Sequence, residues 1–292
     1  MNSKNTIQLF SPAKVNLFLA ITGVRPDGFH DLVSLVAPIT FGDNLTIEFN
    51  KDKDSLTCNN PTIPTDGNNL VLKALKVFRA IHSFDQKIKF TLDKKIPVGA
   101  GLGGGSSNGT MALRGLNQLL GTPLSYDQTL KLATQLGSDC PLFLHNEPVI
   151  MRGRGEKITT LNQKNKSSLK EVDLLIFKPE FSINTKWAYD ALREGQYYTE
   201  TVVAEDKLKK FIKSSAEGEI KGFNSFEAPI YKKYLALPTL VKELQETLSI
   251  QTLLSGSGGA CVCFLNNNKG NAIKLIKDCL GDSVFIQSAK LL

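Results

Sequence analysis

The sequence lacks several features that define whole classes of protein. No apolar run approaches the roughly 18 residues of a membrane-spanning helix, and the first ten residues contain no apolar stretch typical of a secretory signal. The 23 glycines and 12 prolines among 292 residues are too few for a fibrous or low-complexity chain. We therefore expect a folded globular protein that is neither secreted nor membrane-embedded.

Cysteine and histidine are also scarce. The five cysteines are odd in number and no pair has C-x-x-C spacing, and with only three histidines a zinc site would be hard to assemble. Cys261 and Cys263 lie two residues apart in an apolar stretch, which predicts small core residues on one face of a strand. These observations favour a reduced, cytoplasmic protein without a structural metal.

The charge balance is mildly positive, with 35 basic and 28 acidic residues and a net charge of +7. Such a field attracts anions of any kind, including nucleotides, phosphorylated metabolites, nucleic acid and acidic lipid. The densest basic cluster, residues 207–213, also fits a solvated helix face. The sequence shows no stripe of aromatic residues interleaved with Lys and Arg, which an RNA-binding sheet would need.

Hydrophobic periodicity predicts an α+β protein in which hairpin-like strands and helices are mixed. The first half is predicted to contain strands at 7–22, 45–49 and 87–93 and helices at 68–82, 106–120 and 125–137. The second half is predicted to contain strands at 172–177, 261–265 and 284–287 and helices near 185–195, 203–214, 238–248 and 270–280. An exposed loop is expected at 161–170, and two domains, 1–150 and 151–292, are expected to meet near residue 150.

The most informative segment is rich in glycine, which occupies five of the seven positions from Gly99 to Gly105. Between a strand and a helix, glycines let backbone N–H groups converge on a large anion, and the helix N-terminus adds its dipole. Ser106 and Ser107 could supply hydroxyls to phosphate or Mg²⁺. A flexible hinge is the structural alternative. No lysine follows the glycines, which excludes a P-loop, and a G-x-G-x-x-G match alone is weak evidence for a dinucleotide site.

Charged side chains occur at two unusual places. Lys14 lies in an otherwise apolar strand with Asn16 on the same face, so it either has a buried partner or extends to the strand end. Asp139 follows a predicted helix and precedes Pro141 and an apolar segment predicted as a strand, where it either caps a turn or faces a cation. A second Gly/Ser turn, residues 254–259, could lie against a ligand or another loop.

Taken together, these motifs resemble the GHMP kinases. The resemblance rests on Pro-Ala-Lys-x-Asn at 12–16, the loop at 97–107 and Ser-Gly-Ser-Gly at 255–258. Five further segments resemble, within that superfamily, the kinases that act on 4-diphosphocytidyl-2-C-methyl-D-erythritol: Pro26–Leu32, Asn69–Val71, Gly137–Asp139, Gly153–Glu156 and Thr185–Tyr189.

The resemblance implies an N-terminal domain like ribosomal protein S5 domain 2, carrying the ATP loop, and a C-terminal α+β domain that contributes to the substrate pocket. It implies transfer of the ATP γ-phosphate, with Mg²⁺, to the 2-hydroxyl of the methylerythritol moiety. Its catalytic pair corresponds to Lys14 and Asp139. Its ATP site corresponds to Pro97, Val98, Gly99, Ala100, Gly101, Leu102, Gly103, Gly104, Gly105, Ser106 and Ser107, with Asn69 and Lys94 near the adenine. Its substrate site corresponds to Asn16, Phe29, His30, Thr185 and Tyr189.

The chain departs from the family pattern at three positions. Phe29 stands where tyrosine is common, Ser138 where alanine is usual, and Gly259 where proline is frequent. Homoserine or mevalonate kinase activity and a non-enzymatic RNA-binding protein of S5-like fold are the alternatives. We expect small-molecule substrates, no nucleic-acid or membrane partner, and a monomer or weak homodimer.

Overall fold

The computed structural model describes residues 5–170, 172–265 and 267–292, which form two compact units. The first unit comprises the residues up to Ala13 together with Gly42–Pro97 and Gly103–Asn146. The second comprises Lys14–Phe41, Val98–Leu102 and Glu147–Leu292. Both units are discontinuous in sequence, and the division into domains at residue 150 stays a prediction.

Two long strands contribute residues to both units. They are β1 (Thr6–Val24) and β2 (His30–Asn50). Every residue from position 11 to position 21 of β1 is buried, which explains its almost continuous apolar sequence. The turn between the strands is closed by the Arg25 amide, which donates to the Phe29 carbonyl at 2.7 Å.

The first unit packs helices on a sheet with the strand order β3-β4-β2-β1. Strand β4 (Lys87–Asp93) runs antiparallel to Asn44–Asn50 of β2 and parallel to β3 (Ser55–Cys58). The helices are α1 (Leu70–Ile81), α2 (Gly104–Leu119), α3 (Tyr126–Leu136) and α4 (Leu142–His145). Helix α3 begins with a capping box between Ser125 and Gln128 and ends before Gly137, close to the predicted bounds of 125–137.

Asp43 in β2 is the buried polar centre of this unit. Its carboxylate, fully shielded from solvent, accepts hydrogen bonds from the backbone amides of Lys95 at 2.7 Å and Ile96 at 2.8 Å. It also accepts from Asn108 Nδ2 at 2.8 Å and forms an ion pair with the buried ammonium of Lys94. One carboxylate therefore fixes the segment that leads into the glycine-rich loop and the helix that follows it.

The second unit contains two sheets. The first has the order β6-β5-β2-β1-β8, with β5 (Val149–Gly153), β6 (Lys157–Thr160) and β8 (Phe223–Asn224). The second is antiparallel with the order β11-β7-β10-β9, formed by β7 (Asp173–Lys178), β9 (Gln251–Leu254), β10 (Cys261–Phe264) and β11 (Phe285–Lys290). Its helices are α5 (Gln163–Leu169), α6 (Thr185–Glu194), α7 (Thr201–Ala216), α8 (Glu227–Lys233), α9 (Ala236–Leu248) and α10 (Lys269–Leu280).

The mixed helix and strand content confirms the α+β prediction, and most predicted elements lie within a few residues of the observed ones. Cys261 and Cys263 are fully buried in β10, as expected, and the lysines of residues 207–213 lie on the exposed side of α7. Among the described residues, no helix is both long and apolar enough to cross a membrane.

Two local predictions are wrong. The segment 161–170 contains α5, because Asn162 caps a helix by accepting from the Asn165 amide at 2.9 Å and Leu169 is buried beneath it. The apolar segment after Asp139 is not a strand but the short helix α4, which begins after Pro141, where a fixed φ suits a helix start.

We expect Asp43→Asn to destabilise the protein by about 3 kcal/mol or more, because it leaves the buried Lys94 ammonium without its counter-charge. Asp206→Asn is the matched control, since Asp206 pairs with Lys210 on the exposed surface of α7 at 2.8 Å and should cost about 0.5 kcal/mol or less. Equal losses in urea-unfolding measurements of the two variants would contradict the role given to Asp43.

Candidate active site

Lys14 is a buried cation held by a chain of hydrogen bonds in the second unit. Its ammonium donates to Asn16 Oδ1 at 2.7 Å, and Asn16 Nδ2 donates to Ser34 Oγ at 2.9 Å. Ser34 Oγ in turn donates to the Phe18 carbonyl at 2.7 Å. Because Lys14 is only 6% exposed, extension of its side chain to solvent is ruled out. The chain of donors fixes the Asn16 amide so that its oxygen faces the lysine.

The first part of the glycine-rich loop, Val98–Leu102, lies beside this lysine in the same unit. The Lys14 amide donates to the Leu102 carbonyl at 2.9 Å, and Ser255 Oγ donates to the Gly101 carbonyl at 3.1 Å. A Cβ at Gly101 would stand 2.1 Å from the Ser255 carbonyl oxygen, so only glycine fits at that position. The Gly/Ser turn predicted to lie against a ligand or another loop therefore contacts the glycine-rich loop.

The second part of the loop, Gly103–Ser107, belongs to the first unit and starts α2. Gly103 is the N-cap with φ +70° and provides no side-chain cap. The first amides of an α-helix have no intrahelical acceptor. Such amides are suited to an anion. Ser107 is fully buried and accepts from Ser11 Oγ at 2.8 Å, whereas Ser106 is partly exposed. Of the two serines, Ser106 is therefore better placed to meet a ligand.

Asp139 lies, partly exposed, in the short connection between α3 and α4 of the first unit. Thr110 Oγ1 of α2 donates to the Cys140 carbonyl at 2.8 Å. This bond attaches the Asp139 segment to the first turns of α2. Burial raises the pKa of the Cys140 thiol to about 11, so it stays protonated and is not a nucleophile at neutral pH.

The two residues predicted near the adenine have structural contacts of their own. Asn69 caps α1 by accepting from the Val71 amide at 2.9 Å, and its Nδ2 donates to the Pro64 carbonyl at 2.7 Å. Lys94 is paired with Asp43, and a Cβ at Gly104 would stand 2.7 Å from its Nζ. Contact of either residue with adenine stays a prediction.

An aromatic cluster surrounds His30 in the second unit. Its ring lies against Tyr189 with the centroids 4.4 Å apart, and Tyr198 Oη lies 3.4 Å from its Nε2. Because two stacked faces need about 7 Å to hold a base between them, the rings of His30 and Tyr189 leave no such space in this conformation. Phe29 is half-exposed, and the Arg154 guanidinium covers its ring at 4.1 Å from the centroid.

The remaining predicted substrate residue, Thr185, is the first residue of α6. Its Oγ1 lies 3.1 Å from Ser257 Oγ, which joins it to the Gly/Ser turn. For metal binding, the described residues contain no group of three or more His, Cys, Asp or Glu side chains able to hold an ion.

Sequence reasoning missed three residues that support this site: Ser34, Asp43 and Tyr198. Asp43 had a usable signal, since an acidic residue between Gly42 and an apolar strand needs a buried partner. Ser34 and Tyr198 had none, because a serine in a strand and a tyrosine after a helix are common in any protein.

The pKa of His30 offers a test of the cluster. Burial lowers this pKa, Arg193 lowers it further, and Asp190 opposes the shift. We expect Arg193→Gln to raise the pKa of His30 towards its ordinary value of 6.5 and Asp190→Asn to lower it. An NMR titration of the imidazole measures both changes, and shifts of the same sign in the two variants would contradict this electrostatic arrangement.

Comparisons with known proteins bear on the family of this chain. Residues 69–147 match the model of the GHMP kinases N terminal domain. The chain is 36% identical over 264 residues to the 4-diphosphocytidyl-2-C-methyl-D-erythritol kinase of Protochlamydia amoebophila (strain UWE25), covering 90% of this chain and 86% of the relative. It is also 36% identical over 268 residues to the enzyme of the same name from Methylacidiphilum infernorum (isolate V4), covering 89% of this chain and 86% of the relative.

Two solved structures give the same result at the level of the fold. A crystal structure of 4-(cytidine 5'-diphospho)-2C-methyl-D-erythritol kinase superposes with a TM-score of 0.78 at 27% identity, covering 97% of this chain and 99% of that one. A homoserine kinase from Cytophaga hutchinsonii superposes with a TM-score of 0.75 at 16% identity, covering 100% and 96%. The chain therefore belongs to the GHMP kinases, in the family of the 4-diphosphocytidyl-2-C-methyl-D-erythritol kinases.

Proposed function

We propose that this chain transfers the γ-phosphate of ATP to the 2-hydroxyl of 4-diphosphocytidyl-2-C-methyl-D-erythritol, a step of isoprenoid precursor synthesis. Beyond family membership, the observation that carries the choice of acceptor is the aromatic cluster of His30, Tyr189 and Tyr198. Stacking rings and a ring nitrogen suit a substrate that bears a nucleobase. Homoserine and mevalonate contain no base.

The glycine-rich loop is proposed to bind the triphosphate. The uncapped amides of α2 supply N–H donors and the positive end of the helix dipole. The mildly positive net charge of the chain, +7, helps recruit two anionic substrates. Phosphoryl transfer has a loose transition state, so these fixed donors act by positioning and by neutralising charge.

Lys14 and Asp139 are proposed as the catalytic pair. Asp139 would accept the proton of the substrate hydroxyl, while Lys14 would keep Asp139 ionised and neutralise charge on the transferred group. The fixed Asn16 amide supports this role for Lys14, because it holds the ammonium in one place before substrate binds. The partial exposure of Asp139 leaves its carboxylate accessible to a hydroxyl.

Magnesium is proposed to arrive with ATP. The partly exposed Ser106 hydroxyl lies in the first turn of α2, and a single such oxygen fits Mg²⁺, which keeps waters and phosphate oxygens as most of its ligands. When bound, the ion would neutralise charge on the phosphates, whereas Ser106 would orient a phosphate oxygen or the ion.

The cytidine is proposed to bind at His30, Phe29, Asn16 and Tyr189, with Thr185 near the acceptor. Asn69 and Lys94 are proposed to lie near the adenine, Lys94 through parts other than its paired ammonium. We further propose a cytoplasmic monomer or weak homodimer whose N-terminal domain binds ATP and whose C-terminal domain completes the substrate pocket.

A coupled ADP-release assay tests the proposed acceptor. We expect turnover with 4-diphosphocytidyl-2-C-methyl-D-erythritol and at most background turnover with homoserine or mevalonate, because only the first carries a base for the aromatic cluster. Comparable turnover with either of the other alcohols would overturn the proposal in favour of another GHMP kinase.

The same assay probes the base site through His30→Ala. This change should raise KM for the cytidyl substrate much more than KM for ATP. Equal effects on the two constants would remove His30 from the cytidine site.

Asp139→Asn should lower kcat by ~10²–10⁴-fold while leaving the Kd of ATP within a few-fold, because it removes the proton acceptor and not the phosphate site. Asp127→Asn is the control, since Asp127 is an exposed carboxylate in the first turn of α3. Steady-state kinetics and ATP titration measure both quantities, and near-normal kcat in Asp139→Asn would show that Asp139 is not the base.

A further inference from the structure

The Gly/Ser turn at residues 255–258 lies directly on the Lys14 ammonium. A Cβ at Gly256, whose φ is +58°, would stand 3.2 Å from Lys14 Nζ and 3.6 Å from Asn16 Oδ1. The turn is closed by the Gly258 amide, which donates to the Ser255 carbonyl at 3.0 Å, and Ser255 is fully buried. The backbone of this turn is therefore one wall of the space that Lys14 occupies.

Asn224 holds this turn from behind. The side chain is 3% exposed, and its Nδ2 donates to two backbone carbonyls, that of Leu254 at 2.7 Å and that of Gly256 at 2.8 Å. Its Oδ1 accepts from the Phe226 amide at 3.0 Å. Both amide hydrogens are thus used on the turn, and the orientation of the amide is fixed by its third bond.

Glu227 also holds Leu254, through the backbone N–H of that residue. Its Oε1 accepts from the Leu254 amide at 2.9 Å, so Leu254 is held through both its N–H and its C=O. Burial raises the pKa of this carboxyl to about 7. The bond needs only an acceptor oxygen, which the protonated and the ionised acid both provide.

Asn224 and its neighbour Ser225 are bonded to β1, the strand that carries Lys14. Strand β8 runs parallel to β1, with Asn224 paired to Leu19. The Ser225 amide donates to the Leu19 carbonyl at 2.8 Å, and the Ile21 amide donates to Ser225 Oγ at 3.0 Å. The distance between the turn and Lys14 is therefore set through β1 itself and not through a flexible connection.

We propose that Asn224 and Glu227 are positioning residues that hold the 255–258 turn against Lys14 for phosphoryl transfer. This inference rests on the proposed kinase function and extends it to two side chains with no assigned role. Asn224 acts through the backbone of the turn, and Glu227 acts through Leu254, the residue that precedes the turn. Because phosphoryl transfer depends on positioned charge, a small displacement of Lys14 lowers the rate of transfer more than it weakens substrate binding.

Asn224→Asp tests the two hydrogen bonds that Asn224 donates to the carbonyls of Leu254 and Gly256. It preserves the shape of the side chain but replaces the two donated hydrogens with an oxygen that faces two carbonyl oxygens. We expect kcat to fall about 10–100-fold while KM for each substrate changes less than about threefold.

Asn117→Asp is the matched control. Asn117 also holds a loop by two backbone bonds, donating to the Leu124 carbonyl and accepting from the Leu124 amide, both at 2.9 Å, at the far end of α2. Its replacement should lower the melting temperature but leave kcat unchanged. A fall in kcat equal to that of Asn224→Asp at the same loss of stability would reduce Asn224 to a structural residue.

A pair of substitutions at Glu227 keeps the proposal falsifiable if Asn224→Asp does not fold. Glu227→Met removes the acceptor at similar volume and should lower kcat, and Glu227→Gln restores an acceptor oxygen and should recover most of the rate. If Met and Gln give the same kcat, the bond to Leu254 has no positioning role.

Hydrogen exchange provides a readout that does not depend on activity. In Asn224→Asp, exchange of the amides in 251–260 should speed up about tenfold or more, while that of β4 stays unchanged. Unchanged exchange in the turn, or wild-type kcat in the folded variant, overturns the proposal. If the unmodified protein does not phosphorylate the cytidyl substrate, the proposed function fails, and the exchange result still reports separately whether Asn224 holds the turn.

Discussion

Each unit buries a lysine ammonium, and this constraint determines which residues surround it. An ammonium removed from water must be met by oxygen atoms, because otherwise its desolvation would cost several kcal/mol. In the first unit the Asp43 carboxylate meets Lys94 and also binds the amides that lead into the glycine-rich loop. In the second unit Asn16 meets Lys14 and is itself oriented by Ser34. In each unit, the side chain that accepts a hydrogen bond from the ammonium belongs to the hydrogen-bonded framework of the candidate site.

Around Lys14, the backbone of two segments approaches closely. The turn at Gly256 and the loop at Gly101 approach so closely that a Cβ at either would meet another atom at 3.2 Å or less. Backbone is a rigid wall only when its own polar groups are fixed. Asn224 and Glu227 provide that fixing, because the Asn224 amide donates to the C=O of Leu254 and the Glu227 carboxyl accepts from the N–H of Leu254. The glycines at the site therefore depend on Asn224 and Glu227 to hold the backbone in place.

The sequence alone predicted the parts of this architecture that are encoded locally. The glycine-rich loop and the lysine in an apolar strand are visible within a few residues, and so is the capping box of α3. Asn224 and Glu227 were missed because the turn they hold lies about 30 residues away, and no local pattern links them. Residues 142–145 were misassigned because four apolar residues fit a strand and a helical turn equally well, and Pro141 decided between them. Long-range contacts determine the positions of Asn224 and Glu227, whereas a single local residue, Pro141, determines the helix at 142–145.

The aromatic cluster, which is the proposed base site, is closed in this structure. With the His30 and Tyr189 rings 4.4 Å apart, a cytosine cannot enter between them unless one ring moves. The contact between such rings is worth about 0.5–1.5 kcal/mol, so binding would exchange one stacking contact for two and gain only the difference. Burial and the charge of Arg193 both lower the pKa of His30, which disfavours the charged imidazolium. A neutral imidazole keeps one donor and one acceptor nitrogen, the pattern needed to hydrogen-bond a base rather than a phosphate.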